Sequence, residues 1–181
     1  HWRMRAELAA LAESPEEARA ALAEVGGGLA GAAGELRTLA EDLQPLVARD
    51  VPLAEALRRL ADRFEQRHGV TVMVESRLAT ELPAPVRETL YRIAQEAVNN
   101  ACRHSGAKEI TVSLGEKTAG SWLEVRDAGQ GFDPGAVPSG HLGLRFLRDH
   151  AEWIGGRLSV QSAPGCGTSI RVELPLPTAA R

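Results

Sequence analysis

Four polar side chains with useful chemistry fall in one short stretch of the chain. They are Glu96, Asn100, Arg103 and His104. Their spacing of i, i+4, i+7 and i+8 places them on one face of a helix. An amide oxygen suits Mg²⁺, which takes few protein ligands and keeps waters or phosphate oxygens, and a carboxylate one turn away can orient or deprotonate a nucleophile. A solvated polar helix face is the alternative interpretation.

A second segment, residues 127–131, reads Asp-Ala-Gly-Gln-Gly and follows an apolar strand pattern. The carboxylate of Asp127, at the end of a strand, is a good hydrogen-bond acceptor for the amino group of an adenine ring. Gly129 and Gly131 allow the backbone to approach a flat ring closely. An ordinary strand-to-loop turn is the alternative, because Asp and Gly dominate turns.

The third segment comes at the start of a predicted helix and consists of Gly140, His141, Leu142, Gly143 and Leu144. Free N–H groups at a helix N-terminus, preceded by glycine, form a binding place for phosphate oxygens. The segment is not a P-loop, because no Gly-Lys-Ser/Thr follows, and it is not the Rossmann fingerprint. A glycine-rich surface loop is the alternative.

The elements that must position these side chains alternate between helix and strand. Apolar spacing of three and four predicts helices at 53–68, 85–104 and 144–154, the first ending at Gly69. Runs of β-branched and alternating residues predict strands at 70–74, 110–114, 122–125, 158–161 and 169–174, with the last two paired as a hairpin. The fold class is therefore α+β, a two-layer α/β sandwich rather than a doubly wound Rossmann sheet.

The N-terminal part of the chain is predicted to be an antiparallel helical hairpin. Ser14, Pro15 and Glu17 form a helix start signal, and an apolar stripe follows as far as Leu43. The stripe needs a partner, which a homodimeric bundle supplies. We place the domain boundary at the proline-containing segment after it, so that residues 1–46 form the hairpin and residues 47–181 the second domain.

Composition excludes several classes of function. The chain has 181 residues, of which 44% are hydrophobic, and a net charge of −3, so no basic stripe is present to bind nucleic acid directly. No apolar run approaches the roughly 18 residues that span a bilayer. Cys102 and Cys166 form no metal-ligand or disulfide framework, and we expect both to be small buried residues in a reducing cytosol. We expect this fragment to be cytoplasmic, with a parent that can be membrane-anchored.

The order of these segments carries a resemblance to a known superfamily. Together with Gly-Cys-Gly-Thr at 165–168, it resembles the Bergerat-type ATPases, which include sensor kinases, type II topoisomerases, a heat-shock chaperone and mismatch-repair ATPases. Within them the chain looks most similar to the nitrate-sensor-like class of histidine kinases. Residues 92–107 are similar to that class's N box, 140–156 to its short lid and following helix, and 35–57 to its second dimerisation helix and linker.

The resemblance implies that the cofactors are ATP and Mg²⁺. On the adenine side, Asp127 would bind the amino group, Gly129 and Gly131 would shape the pocket, and Thr168 would approach the adenine edge through water. Members of this class phosphorylate a histidine on a dimerisation helix and pass the phosphate to a response regulator with a receiver domain.

On the phosphate side, the resemblance assigns the remaining roles. Asn100 would hold Mg²⁺ and Glu96 would be the base or positioning group. Arg103 and His104 would lie near the phosphates. The lid segment from Gly140 through His141 and Leu142 to Gly143 would contact the nucleotide, with its two glycines as hinges.

Two departures from the family pattern affect the expected activity. No Glu-Leu-His-Asp-like phosphoacceptor segment is present, and we expect the acceptor to lie a few helical turns before His1, so that this chain binds Mg·ATP without phosphorylating itself. His150 stands where the family more often has arginine, so a cationic role there would depend on pH. Two other functions stay open. One is a degenerate nucleotide-binding or dimerisation scaffold, and the other is a serine kinase of the anti-sigma type.

Overall fold

A computed structural model describes residues 51–79, 81–118, 120–135 and 142–175. The elements in chain order are α1 (Leu53–His68), β1 (Thr71–Ser76), α2 (Ala84–His104), β2 (Glu109–Lys117), β3 (Gly120–Asp127), α3 (Leu142–Trp153), β4 (Arg157–Ser162) and β5 (Thr168–Pro175). The predicted hairpin at 1–46 and the domain boundary after it lie outside the described residues. None of the helices in the described part is long and apolar enough to cross a membrane.

The five strands form one sheet in the order β1-β2-β3-β5-β4. β1 pairs in parallel with β2, and the other three pairings are antiparallel. A parallel pair needs a long crossover connection, and α2 lies in the segment between β1 and β2. β4 and β5 form the hairpin expected from the sequence, so the end of the chain is folded as predicted.

The helices cover one face of this sheet. Along β3, Leu123 and Val125 are buried, whereas the alternate residues Trp122 and Glu124 are partly exposed, which is the period-two pattern of a half-covered strand. α1 contacts β1, α2 contacts β2 and β3, and α3 contacts β4. The fold is therefore a two-layer α/β sandwich, as its alternating helix and strand patterns predict.

α2 is the central helix of the covering layer. Its residues Leu90, Ile93, Ala97 and Ala101 recur at spacings of three and four and are all buried. Burying one such large aliphatic side chain stabilises the fold by about 1.5–3 kcal/mol. Because this apolar face anchors α2 on the sheet, the polar residues of the helix are held in fixed positions at the edge of the core.

The β2–β3 hairpin is longer than the sequence patterns predict. The strands were expected at 110–114 and 122–125, but pairing continues to Lys117 opposite Gly120. Gly120 has a φ of 142°, and a Cβ there would lie 1.8 Å from the carbonyl oxygen of Leu174. Because Gly120 has no side chain, β5 approaches it closely and the hairpin continues beyond its apolar residues. Residue propensities alone do not predict this continuation.

The two cysteines differ from each other. Cys102 is half-buried against the core, and burial raises the pKa of its thiol. Cys166 is exposed in the turn between β4 and β5, so the prediction that both cysteines are buried is wrong for this residue. Its neighbours Gly165 and Gly167 have φ values of 79° and 72°, which shows that the segment is a tight turn rather than part of the core.

Candidate functional site

Glu96 and Asn100 contact each other on α2, as their i, i+4 spacing predicts. The Asn100 amide donates from Nδ2 to Glu96 Oε1 over 3.1 Å, and both residues are half-buried. This bond uses the amide nitrogen, so Asn100 Oδ1 stays an acceptor, and Asn100 lines a cavity beside the helix. A hard amide oxygen next to a carboxylate suits a divalent cation that keeps most of its own water or phosphate ligands.

The first turn of α3 lies directly against this pair. A Cβ at Gly143 would lie 3.0 Å from Glu96 Oε1 and 3.3 Å from Asn100 Nδ2. A side chain at this position would therefore have to displace the carboxylate or the amide. Glycine allows the start of α3 to approach the polar row on α2 closely.

Asp127 is the last residue of β3 and is only 6% exposed. Its Oδ1 accepts the N–H of Gly129 over 2.9 Å, which is its single hydrogen bond within the described residues. The side chain also lines the cavity. A buried carboxylate needs partners, and the one supplied here engages one of its oxygens. The remaining acceptor capacity is available to a hydrogen-bond donor that enters the cavity.

The glycine loop after β3 is attached to the end of α2. Gln130 donates its backbone N–H to the carbonyl oxygen of Ser105 over 2.8 Å and its side-chain amide to that of His104 over 2.5 Å. A Cβ at Gly129 would lie 2.2 Å from the Ser105 carbonyl oxygen. Gly129 therefore lets the loop pack on the end of α2, and it does not line the cavity.

The same loop is also attached to the β4–β5 turn. Gly165 donates its N–H to the carbonyl oxygen of Gln130 over 2.6 Å, and Phe132 donates its N–H to Ser162 Oγ over 2.9 Å. Gly131, with a φ of 59°, lies between these two contacts. The loop is thus held on both sides, and the positions of its backbone groups are set before any ligand binds.

These elements enclose a cavity of about 310 Å³. Six of the residues singled out from the sequence line it: Asn100, His104, Asp127, Gly131, Gly143 and Thr168. Seven further lining residues were assigned no role from the sequence: Ala97, Ala101, Ser105, Gln130, Phe132, Leu144 and Ile170. Five of the seven are apolar, as expected for walls that contact a flat ring, and spacing alone does not separate such residues from the core.

Of the remaining predicted site residues that the structure describes, Glu96, Arg103 and Gly129 are not in the lining. Glu96 lies behind Asn100 and Gly143, and Arg103 is exposed at the end of α2. Leu142 begins α3. Gly140 and His141 lie outside the described residues.

A cavity with a buried carboxylate at a strand end and an amide on the facing helix, between tight glycine turns, defines a nucleotide-binding α/β sandwich domain. Residues 86–178 match the family described as histidine kinase-, DNA gyrase B-, and HSP90-like ATPase, and the chain belongs to this family. The match confirms the resemblance and the fold class predicted from the sequence.

Individual proteins that are similar to this chain are histidine kinases or ATP-binding domains. The sensor histidine kinase LiaS of Bacillus subtilis (strain 168) is 36% identical over 142 residues, which cover 78% of this chain and 39% of LiaS. The ATP-binding domain of PrrB from Mycobacterium tuberculosis has a TM-score of 0.53 at 26% identity, covering 71% of this chain and 96% of that domain. The blue-light activated histidine kinase of Erythrobacter litoralis EL346 shares the fold, with a TM-score of 0.67 at 19% identity, covering 79% and 50%. The chain thus spans about two fifths of the length of LiaS.

Proposed function

We propose that this chain is the ATP-binding catalytic part of a two-component sensor histidine kinase. It binds Mg·ATP in the cavity and donates the γ-phosphate to a histidine on a dimerisation helix, for transfer to a response regulator with a receiver domain. The observation that supports this most directly is the pairing of a buried carboxylate, Asp127, with the amide of Asn100 in one cavity of a family member. We further propose that the fragment is cytoplasmic and dimerises through residues 1–46.

Each residue of the cavity has a specific task in this proposal. Asp127 accepts a hydrogen bond from the adenine amino group and so orients the base. Asn100 Oδ1 holds Mg²⁺, whose charge neutralises the phosphate oxygens when it is bound. Glu96, fixed by its bond to Asn100, orients the incoming imidazole or takes its proton while the γ-phosphorus forms a bond to nitrogen and ADP leaves.

The charged groups at the end of α2 complete the phosphate side. His104 lines the cavity, and Arg103 is exposed beside it. We propose that both lie near the phosphates of bound ATP, and that the lid segment at 140–143 closes over the nucleotide. Thr168 lies opposite Asp127 in the strand register. We propose that it lies at the adenine edge.

The proposed metal ligand predicts a specific dependence on Mg²⁺. We expect the natural chain to bind ATP more tightly in Mg²⁺ than in EDTA, and Asn100→Ala to lose about tenfold or more of that difference, because it lacks the ligand oxygen. Isothermal titration with a non-hydrolysable ATP analogue measures both constants. Asn99→Ala is the matched control, since Asn99 is the adjacent half-buried amide of α2 and does not line the cavity. Full Mg²⁺ dependence in Asn100→Ala would contradict the assignment.

The acceptor chemistry distinguishes the proposed kinase from the two alternatives. The chain is incubated with Mg·ATP labelled in the γ-phosphate and with a dimerisation hairpin that carries an acceptor histidine. We expect label on the hairpin that is lost in acid and kept in alkali, because a phosphorus–nitrogen bond hydrolyses in acid. Acid-stable label on a serine would instead favour the anti-sigma type of kinase. ATP binding without any transfer would favour the scaffold.

A further inference from the structure

Three polar side chains lie in one row across the sheet. In the strand register, Asp127 of β3 is opposite Thr168 of β5, and Thr168 is in turn opposite Ser162 of β4. Residues directly opposite each other in adjacent strands point to the same face, here the face covered by the helices. Asp127 and Thr168 line the cavity, and Ser162 lies behind Thr168 as seen from Asp127.

The hydroxyl of Ser162 has three close partners. It accepts the backbone N–H of Phe132 over 2.9 Å, lies 2.9 Å from the carbonyl oxygen of Gly167, and lies 3.0 Å from Thr168 Oγ1. A hydroxyl has one proton to donate and two lone pairs to accept with. The carbonyl oxygen of Gly167 has no proton, so the proton of Ser162 must go to it.

This leaves one arrangement that satisfies all three contacts. Ser162 Oγ donates its proton to the carbonyl oxygen of Gly167 and accepts hydrogen bonds from the Phe132 N–H and the Thr168 hydroxyl. The hydroxyl proton of Thr168 therefore points to Ser162. If Ser162 donated to Thr168 instead, its oxygen and the Gly167 carbonyl oxygen would face each other at 2.9 Å without a proton between them. The hydroxyl of Thr168 therefore presents only lone pairs to the cavity.

We propose that Ser162 is a specificity-determining positioning residue, which fixes the Thr168 hydroxyl as an acceptor and so selects purines with a 6-amino group over purines with a 6-oxo group. The proposal rests on the proposed nucleotide-binding function and adds the basis of base selection to it. Asp127 and Thr168 then form a row of two acceptors. A 6-amino group carries two N–H donors, whereas a 6-oxo group brings a third acceptor to the same place.

A water between Thr168 and the base would donate one proton to Thr168 and keep a second proton and its lone pairs, so it can pair with either 6-substituent. The selection therefore requires that the base meets the Thr168 hydroxyl directly. A polar site that rejects a ligand does so because its buried groups are left unpaired, and this effect is larger than the loss of an apolar contact.

The test compares Mg·ADP with Mg·IDP, which differ in the 6-substituent of the purine. Dissociation constants are measured by titration calorimetry for the natural chain, Ser162→Ala, Thr168→Val and the double variant. We expect the natural chain to prefer ADP, and Ser162→Ala to lower the ADP/IDP preference about fivefold, the equivalent of one ordinary hydrogen bond. In the Thr168→Val background, Ser162→Ala should change the preference no further, because its effect acts through the missing hydroxyl.

A matched control separates this role from a general effect of losing a serine hydroxyl in β4. Ser159 is exposed on the other face of the strand, and its hydroxyl contacts the carbonyl oxygen of Arg171 over 3.4 Å. Ser159→Ala should keep the natural preference. If Ser162→Ala does not fold, Ser162→Cys keeps the side-chain size and replaces the oxygen with a weak acceptor, so the same loss of preference is expected.

The possible failures are distinguishable. If the natural chain binds neither nucleotide, the proposed function fails and this inference fails with it. If the natural chain prefers ADP and Ser162→Ala keeps that preference, the inference alone is overturned. The inference is also overturned if Ser162→Ala lowers the ADP/IDP preference equally in the natural chain and in Thr168→Val. Ser162 would then act without the Thr168 hydroxyl.

Discussion

Replacing Asp127 with asparagine is expected to weaken binding of a non-hydrolysable Mg·ATP analogue by about 10- to 100-fold, the cost of a buried hydrogen bond left unmade. Asparagine can still accept the N–H of Gly129 through its oxygen, so the free protein should fold. Its amide NH₂ then faces the adenine amino group, and two donors meet. At 100 times its dissociation constant, the analogue should stabilise the natural chain by about 2.7 kcal/mol, a rise of several degrees in Tm. The variant should show little of this rise at the same concentration.

Asp133 provides the matched control for this experiment. Its Oδ1 accepts the N–H of Gly135, two residues on, over 2.8 Å, which repeats the contact between Asp127 and Gly129. Asp133 is exposed and does not line the cavity. Asp133→Asn should therefore keep the natural affinity. An undiminished affinity in Asp127→Asn would show that the nucleotide base does not bind at this carboxylate.

Replacing Gly131 with alanine is expected to destabilise the fold by about 2–5 kcal/mol. The left-handed backbone at this position costs a residue with a Cβ about 1–2 kcal/mol, and overpacking adds about 1–3 kcal/mol. The overpacking arises because the new Cβ would lie 2.1 Å from the carbonyl oxygen of Ala163 and 2.8 Å from that of Gly167. Chemical denaturation of the free protein measures the loss, and nucleotide affinity should fall as the loop and the turn separate.

Gly165 separates the two contributions. It has a φ of 79°, but a Cβ there would meet nothing within 4 Å. Gly165→Ala should therefore show the backbone cost alone, about 1–2 kcal/mol. The difference between the two variants measures how firmly the glycine loop is held against the β4–β5 turn. Equal losses would show that the loop moves away from the turn without cost.

Local spacing was enough to predict several parts of this protein. α2 was predicted at 85–104 and spans Ala84–His104, because its apolar spacing and its proline near the first turn both act within a few residues. The contact between Glu96 and Asn100 follows from helix geometry alone. Fold class and family also follow from the sequence, because the order of elements and of the three polar segments is a linear property of the chain.

Strand lengths were predicted less well. β2 and β3 extend beyond their apolar stretches, and the outward-facing positions of the extensions, such as Lys117 and Arg126, are polar on a sheet with one covered face. Their pairing is decided by the opposite strand, and a period-two pattern with small polar residues resembles a loop in isolation. The continuation of the hairpin to Gly120 depends on the close approach of β5.

In the site, too, some features follow from the sequence and others only from the folded structure. The chemistry of Asp127, Asn100 and Thr168 follows from their residue types and their place in the order of segments, so the amino-acid sequence alone determined which groups could meet a nucleotide. That Gly129 packs on Ser105, and that Ser162 lies behind Thr168, was decided only by folding. These contacts join residues that belong to different strands and helices, and their geometry is set by strand register and by the packing of α2 on the sheet, which local spacing does not encode.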